Sequence, residues 1–115
     1  MSETDVVNAV RLRFSNGDVR LFRNNVGVLT DARGNHITYG LCIGSSDLIG
    51  WRTLTVTPDM VGTKVAVFVA AEGKAGRRKA TKEQAAFINT VRAAGGRAGV
   101  FYTPDDVERI LNGEA

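Results

Sequence analysis

The longest unbroken apolar stretch, Val65-Ala66-Val67-Phe68-Val69-Ala70-Ala71, lies past the middle of the chain. It is short and rich in β-branched residues, which predicts a buried strand over residues 65–71. Before it, Ser2-Glu3-Thr4-Asp5 carries a capping pattern with acids in a first helical turn. Val6, Val7, Val10 and Phe14 follow as the apolar stripe of that helix. Ser15-Asn16-Gly17-Asp18 ends it, and residues 19–22 read as a strand. Residues 26–29 either continue that strand or form an irregular connector. Asp31-Ala32-Arg33-Gly34-Asn35 is a turn. Residues 37–43 form a short extended segment leading to Gly44-Ser45-Ser46-Asp47-Leu48-Ile49-Gly50, with a strand starting at Ile49. Leu54-Thr55-Val56-Thr57 alternates, but Pro58 follows and places it at an edge or in a loop.

After the apolar stretch, residues 75–80 form a basic loop with Gly76, Arg77, Arg78 and Lys79. Thr81-Lys82-Glu83-Gln84 is a capping box that opens a helix running to about residue 94. Phe87, Ile88 and Val91 are its core face, and Gly95-Gly96 stops it. Residues 97–102 read as a strand. Thr103-Pro104-Asp105-Asp106 opens a last helix with proline at its first position. Val107, Ile110 and Leu111 form its apolar side. Neither an internal repeat nor a linker is visible. The expected architecture is one mixed α/β domain spanning 1–115, a mixed central β-sheet flanked by helices.

Composition narrows the chemistry. At 115 residues and 43% hydrophobic, the chain can bury a core and is not of the disordered class. Its charge is +3, with 11 arginines against 4 lysines. That suits a polyanion partner, since arginine grips phosphate in a bidentate manner. The single cysteine, Cys42, excludes an internal disulfide and a cysteine zinc site, and is expected to be a small buried apolar side chain. The single histidine, His36, excludes a histidine-rich metal site within one chain and reads as a loop residue. Trp51 is expected to pack under the Asp47 turn or at an interface. Without a signal peptide, membrane run or lipidation motif, a cytoplasmic protein is expected, in a bacterial or phage-infected cell.

Candidate chemistry centres on Asp47 and on Glu72-Gly73-Lys74. Alternation along a strand puts Glu72 and Lys74 on one face, with Cα atoms roughly 6 to 7 Å apart. Two carboxylates and an ammonium at the end of a buried strand are costly unless compensated. A divalent cation and a phosphodiester compensate them together. Taken alone, Glu72 and Lys74 also fit an ordinary surface pair, and Asp47 a turn acid. The stretch 73–81 lacks the Gly-Lys-Ser/Thr ending of a P-loop, which excludes that nucleotide-hydrolysing motif.

An ordered set of segments adds to this: Arg23-Asn24-Asn25-Val26-Gly27, then the Asp47 turn, then Phe68 to Lys74. Gln84-Ala85-Ala86-Phe87 and Arg92-Ala93-Ala94-Gly95-Gly96-Arg97-Ala98-Gly99-Val100 complete it. With these segments the chain resembles a stand-alone, phage-type VRR-NUC domain of the PD-(D/E)XK nuclease superfamily, from Glu3 to about residue 103. The resemblance implies a restriction-endonuclease-like core and hydrolysis of DNA phosphodiesters. It implies that Asp47 and Glu72, with the carbonyl of Gly73, ligate Mg²⁺ or Mn²⁺, and that Glu3 supports the metal site. Lys74 orients water or stabilises phosphate charge, and Gln84 lies beside the site. Arg23, Asn24, Asn25, Ser45 and Ser46, with the basic residues Arg77, Arg78, Lys79 and Lys82, are the candidate DNA contacts. The chain departs from the family pattern at Gly73, where a bulky apolar residue is usual, and in its more basic 77–80 loop. Gly73 is expected to loosen the strand end.

Stand-alone members resemble symmetric homodimers that cut branched DNA, notably four-way junctions. The last helix or residues 54–61 would supply the interface. The competing reading is a non-catalytic DNA-binding module on a decayed nuclease fold. A small structural or adaptor protein with incidental acids is the third.

Overall fold

The computed structural model describes residues 2–114. Among the described residues it is a mixed α/β chain with three α-helices and three two-stranded sheets. By internal packing it divides into two compact units, one running to Arg52 and the other starting at Thr53.

The first unit opens with helix α1, Glu3–Phe14. Ser2 caps it: the Ser2 hydroxyl accepts from Asp5 N–H at 3.1 Å, and the Asp5 carboxylate accepts from Ser2 N–H at 3.2 Å. The expected stripe is only partly covered. Val7 and Val10 are half-buried, whereas Val6 and Phe14 are exposed. Ser15 then ties the helix end to strand β1, Val19–Arg23, by accepting from Leu21 N–H at 2.8 Å. β1 pairs antiparallel with β4, Leu48–Arg52, in the register Arg23 opposite Leu48. That register sets the end of β1 beside the Asp47 turn. Phe22 and Trp51 form a tilted ring pair with centroids 5.6 Å apart, so Trp51 packs on a β1 aromatic.

Residues 26–29 do not continue β1. They contribute to β2, Gly27–Thr30, which forms its own antiparallel hairpin with β3, His36–Tyr39. The predicted 31–35 turn closes it, with the Asp31 carboxylate accepting from Arg33 N–H at 2.8 Å and Asn35 N–H at 2.9 Å. His36 is therefore an exposed strand residue, not a loop residue. Its ring Nδ1 lies 3.4 Å from the Thr30 hydroxyl. Cys42 is exposed rather than buried. It lies in the turn leading to Asp47, where its N–H and carbonyl both bond the Ser45 hydroxyl.

The second unit holds a βαβα succession. Residues 54–57 lie in a loop, followed by a short 3₁₀ turn at Pro58–Met60. The apolar stretch becomes strand β5 only at Val69–Gly73, not at residue 65. The reason is its partner. Strand β6, Arg97–Phe101, pairs in parallel with β5 in the register Val69 opposite Arg97. The Arg97 N–H donates to the Phe68 carbonyl at 2.8 Å, so the ladder begins there. Residues 65–67 have no β6 residue opposite them.

Helix α2, Lys82–Ala93, joins the two strands, and helix α3, Pro104–Leu111, follows β6. Both begin with capping boxes, Thr81 with Gln84 and Thr103 with Asp106. The core of this unit is Ile88 and Val91 of α2, Ala98 of β6 and Ile110 of α3. Ile110 and Val91 are 1% exposed, and each such burial is worth roughly 1.5 to 3 kcal/mol. Gly99 makes the α3 contact close: a Cβ there would stand 2.9 Å from Ile110 Cγ1. Phe87, expected in the core, is 39% exposed. Among the described residues, no helix is long and apolar enough to cross a membrane.

Candidate active site

In the first unit, four residues singled out from sequence come together. Glu3, Arg23, Asn25 and Asp47, with Thr4 and Val7, line one pocket of about 110 Å³. The fold brings them there by two devices. The first turn of α1 supplies Glu3 and Thr4. The β1–β4 register sets Arg23 opposite Leu48, and just past its end lie Asn25, after β1, and Asp47, before β4. The Arg23 guanidinium donates to the Asn8 side chain at 2.9 Å, which ties β1 to α1.

Asn24 and Ser45 build the turn itself. Asn24 N–H donates to the Asp47 carbonyl at 2.8 Å. The Asn24 side-chain amide donates to the Ser45 hydroxyl at 2.7 Å and to the Ser46 carbonyl at 2.9 Å. Its side-chain oxygen accepts from Leu41 N–H at 2.8 Å. The polar capacity of Asn24 is thus directed inward, to hold the loop that presents Asp47. Ser46 and Asp47 are exposed at the top of that loop.

In the second unit, Glu72 and Gln84 line a pocket of about 400 Å³ with Glu83, Phe87, Ile88, Ala70 and Ala71. Glu72 is half-buried near the end of β5. Lys74, also half-buried, continues the ladder by donating its N–H to the Phe101 carbonyl at 3.0 Å. Gly73, between them, is exposed, so the alternation expected of Glu72 and Lys74 is kept. Gly73 has a packing reason. A Cβ there would stand 2.8 Å from the Phe101 ring, its neighbour across the ladder. Gln84 spends its side-chain oxygen on the cap, accepting from Thr81 N–H at 2.9 Å. Its amide nitrogen is the end left for other partners.

Glu83, which the sequence motifs do not single out, also lines this pocket. It stands beside Gln84 in the first turn of α2, and that adjacency was the available signal. The basic loop after Lys74 is fastened by the Tyr102 hydroxyl, which donates to the Arg78 carbonyl at 2.6 Å. Arg77, Arg78, Lys79 and Lys82 are exposed, and the one ion pair among the described residues joins Arg109 to Asp106. The four basic side chains are therefore free to meet an anion.

Asp47 and Glu3 belong to the first unit, and Glu72, Gly73, Lys74 and Gln84 to the second. Among the described residues, no group of three or more His, Cys, Asp or Glu side chains is placed to hold a metal ion. Comparison with protein-family models, with curated proteins and with solved structures returned no match.

Proposed function

We propose that this chain is a metal-dependent endodeoxyribonuclease on a PD-(D/E)XK core of the VRR-NUC type, acting on branched DNA such as four-way junctions. The observation that carries the reading is the double gathering of residues scattered in sequence. Glu3, Arg23, Asn25 and Asp47 share one pocket, and Glu72 and Gln84 share another.

The donor chemistry fits a hard cation. In the first unit Glu3 and Asp47 offer two carboxylates to one pocket, and in the second Glu72 offers a carboxylate and Gly73 a backbone carbonyl at the end of β5. All-oxygen donor sets of this kind suit Mg²⁺ or Mn²⁺. When bound, such a cation supplies Lewis acidity and lowers the pKa of a coordinated water. The chain's own residues do the rest. Lys74 sets a fixed positive charge where phosphate charge develops. Gln84 offers amide protons beside Glu72. Arg77, Arg78, Lys79 and Lys82 hold the DNA backbone without reading its sequence. Asn24 and Ser45 keep the Asp47 loop in one shape.

A symmetric homodimer suits paired incisions in a two-fold-related substrate. The loop expected at its interface supports this, since Leu54, Val56 and Val61 are 48%, 73% and 88% exposed. Leu111 on the last helix is likewise exposed.

The test is cleavage of four-way junction, flap and linear duplex DNA with Mn²⁺ or with EDTA, beside an Asp47→Ala control. The reading expects Mn²⁺-dependent cuts, strongest on the junction and absent in the variant. Cleavage by the variant at the wild-type rate removes Asp47 from the reaction. No cleavage of any substrate overturns the enzymatic reading.

A further inference from the structure

We propose that Arg92 and Arg97 form a second phosphate-binding site, one that grips a backbone phosphate of the DNA through a pair of guanidinium groups. The inference rests on the reading of this chain as one that works on DNA, and it concerns a cavity separate from the Glu72 pocket.

Arg92 lies in the last turn of α2, and Arg97 is the first residue of β6. The two line a cavity of about 210 Å³ with Gly96, Ala98, Ile110 and Gly113. Arg92 is held in place, because its Nε–H donates to the Ala98 carbonyl at 2.8 Å. That bond fixes the plane of the guanidinium and leaves its two terminal nitrogens to face other partners. The Arg97 guanidinium lies against Gly113, where a Cβ would stand 2.9 Å from Arg97 Cζ. Gly113 has a φ of 76°, a left-handed conformation that favours glycine, so the chain can pass this close.

Among the described residues, no acidic side chain lines the cavity. Neither arginine takes part in an ion pair among the described residues. Two like charges directed at one small space repel each other, and an anion between them turns that repulsion into attraction. The space accommodates such an anion. Pockets for drug-sized ligands run from roughly 300 to 1,000 Å³. A cavity of about 210 Å³ falls below that range and has room for one tetrahedral oxyanion. Paired arginines match phosphate oxygens in a bidentate manner. Both arginines are exposed, so a phosphate still joined to its strand can reach them.

The test is binding of labelled linear duplexes of two unrelated sequences to the full chain in EDTA, across a range of salt. Arg97→Gln is expected to weaken binding several-fold and equally for both sequences. It is also expected to reduce the slope of log affinity against log salt by about 1. Arg97→Lys, which keeps the charge, retains most of that slope. Arg92→Gln gives the same loss as Arg97→Gln. If removing the Ala98 bond unfolds it, as thermal unfolding will show, Arg97→Gln alone decides. Wild-type affinity and slope in Arg97→Gln overturn the inference. A thermal-unfolding arm with inorganic phosphate separates the sources. Stabilisation by phosphate that needs Arg97, together with unchanged DNA affinity, assigns the site to free phosphate and overturns the backbone assignment. Because cleavage plays no part in these readouts, an inactive chain whose DNA affinity still depends on Arg97 refutes the hydrolase and supports this site. A wild-type chain that binds no DNA overturns both.

Discussion

Asn24 holds Asp47 through the backbone, its N–H donating to the Asp47 carbonyl at 2.8 Å. Its side chain fastens the two residues before Asp47 as well. A residue that resembles a DNA contact in sequence is thus the clasp of the loop carrying the proposed metal ligand. Asn24→Ala removes three side-chain hydrogen bonds in a half-buried position and should destabilise the chain by about 2 kcal/mol. Asn24→Asp keeps only the acceptor toward Leu41 and should cost nearly as much. Urea midpoints measure both. An unchanged midpoint in Asn24→Ala contradicts the clasp role.

The Gly99–Ile110 contact should be the least forgiving point of the second unit. Ile110→Ala leaves a cavity under α3 and should cost about 2 to 5 kcal/mol. Gly99→Val pushes a side chain toward Ile110 and the Arg92 guanidinium, and should cost about 1 to 3 kcal/mol. The two sites touch, so their double variant should not be additive. Chemical denaturation of the four chains checks this, and strict additivity would speak against the contact.

Gly73 and Phe101 should be coupled in the same way. Gly73→Val requires the Phe101 ring to move, and is expected to cost about 1 to 2 kcal/mol. In a Phe101→Ala background the same change should cost less than half as much. Equal costs in the two backgrounds would show that Gly73 is not there for the ring.

The helix starts were legible because their signals are local. Ser2 with Asp5, Thr81 with Gln84 and Thr103 with Asp106 each close a reciprocal cap within four residues. The strands were less legible because their limits are set by partners distant in sequence. Residues 65–68 carry all the composition of a strand, yet β6 begins only at Arg97, opposite Val69. The β2–β3 hairpin was half-read for the same reason. Its turn is local, while the pairing of Gly27 with Tyr39 is not. Cys42 shows a different limit: a small apolar type says inside on average, and a turn bonded to Ser45 puts it outside. In the candidate site, the place of Glu83 is not legible because the capping pattern accounts for Thr81 and Gln84 and says nothing of the residues between them.

Acid should loosen the start of α3. Asp106 accepts from Tyr102 N–H at 2.8 Å and Thr103 N–H at 3.1 Å, and pairs with Arg109. Chiefly the Tyr102 bond, opposed by partial desolvation and aided by Thr103 and Arg109, holds its carboxyl below the usual aspartate range. A carboxyl whose folded pKa is lowered stabilises the fold above its unfolded value of about 3.9, and that contribution is lost as pH falls through the folded value. The stability of wild type relative to Asp106→Asn should therefore shrink as pH drops below about 4. Paired urea titrations from neutral pH downward measure the difference, and a constant gap would contradict the assignment.

The most direct test of the nuclease account is Mn²⁺ binding to the intact chain, followed by titration calorimetry for wild type, Asp47→Ala and Glu72→Ala. The account predicts saturable binding by wild type, weakened by more than roughly tenfold when either carboxylate is removed, with the fold of both variants unchanged. Wild-type affinity for Mn²⁺ in both variants, or no binding by the wild-type chain, would contradict it.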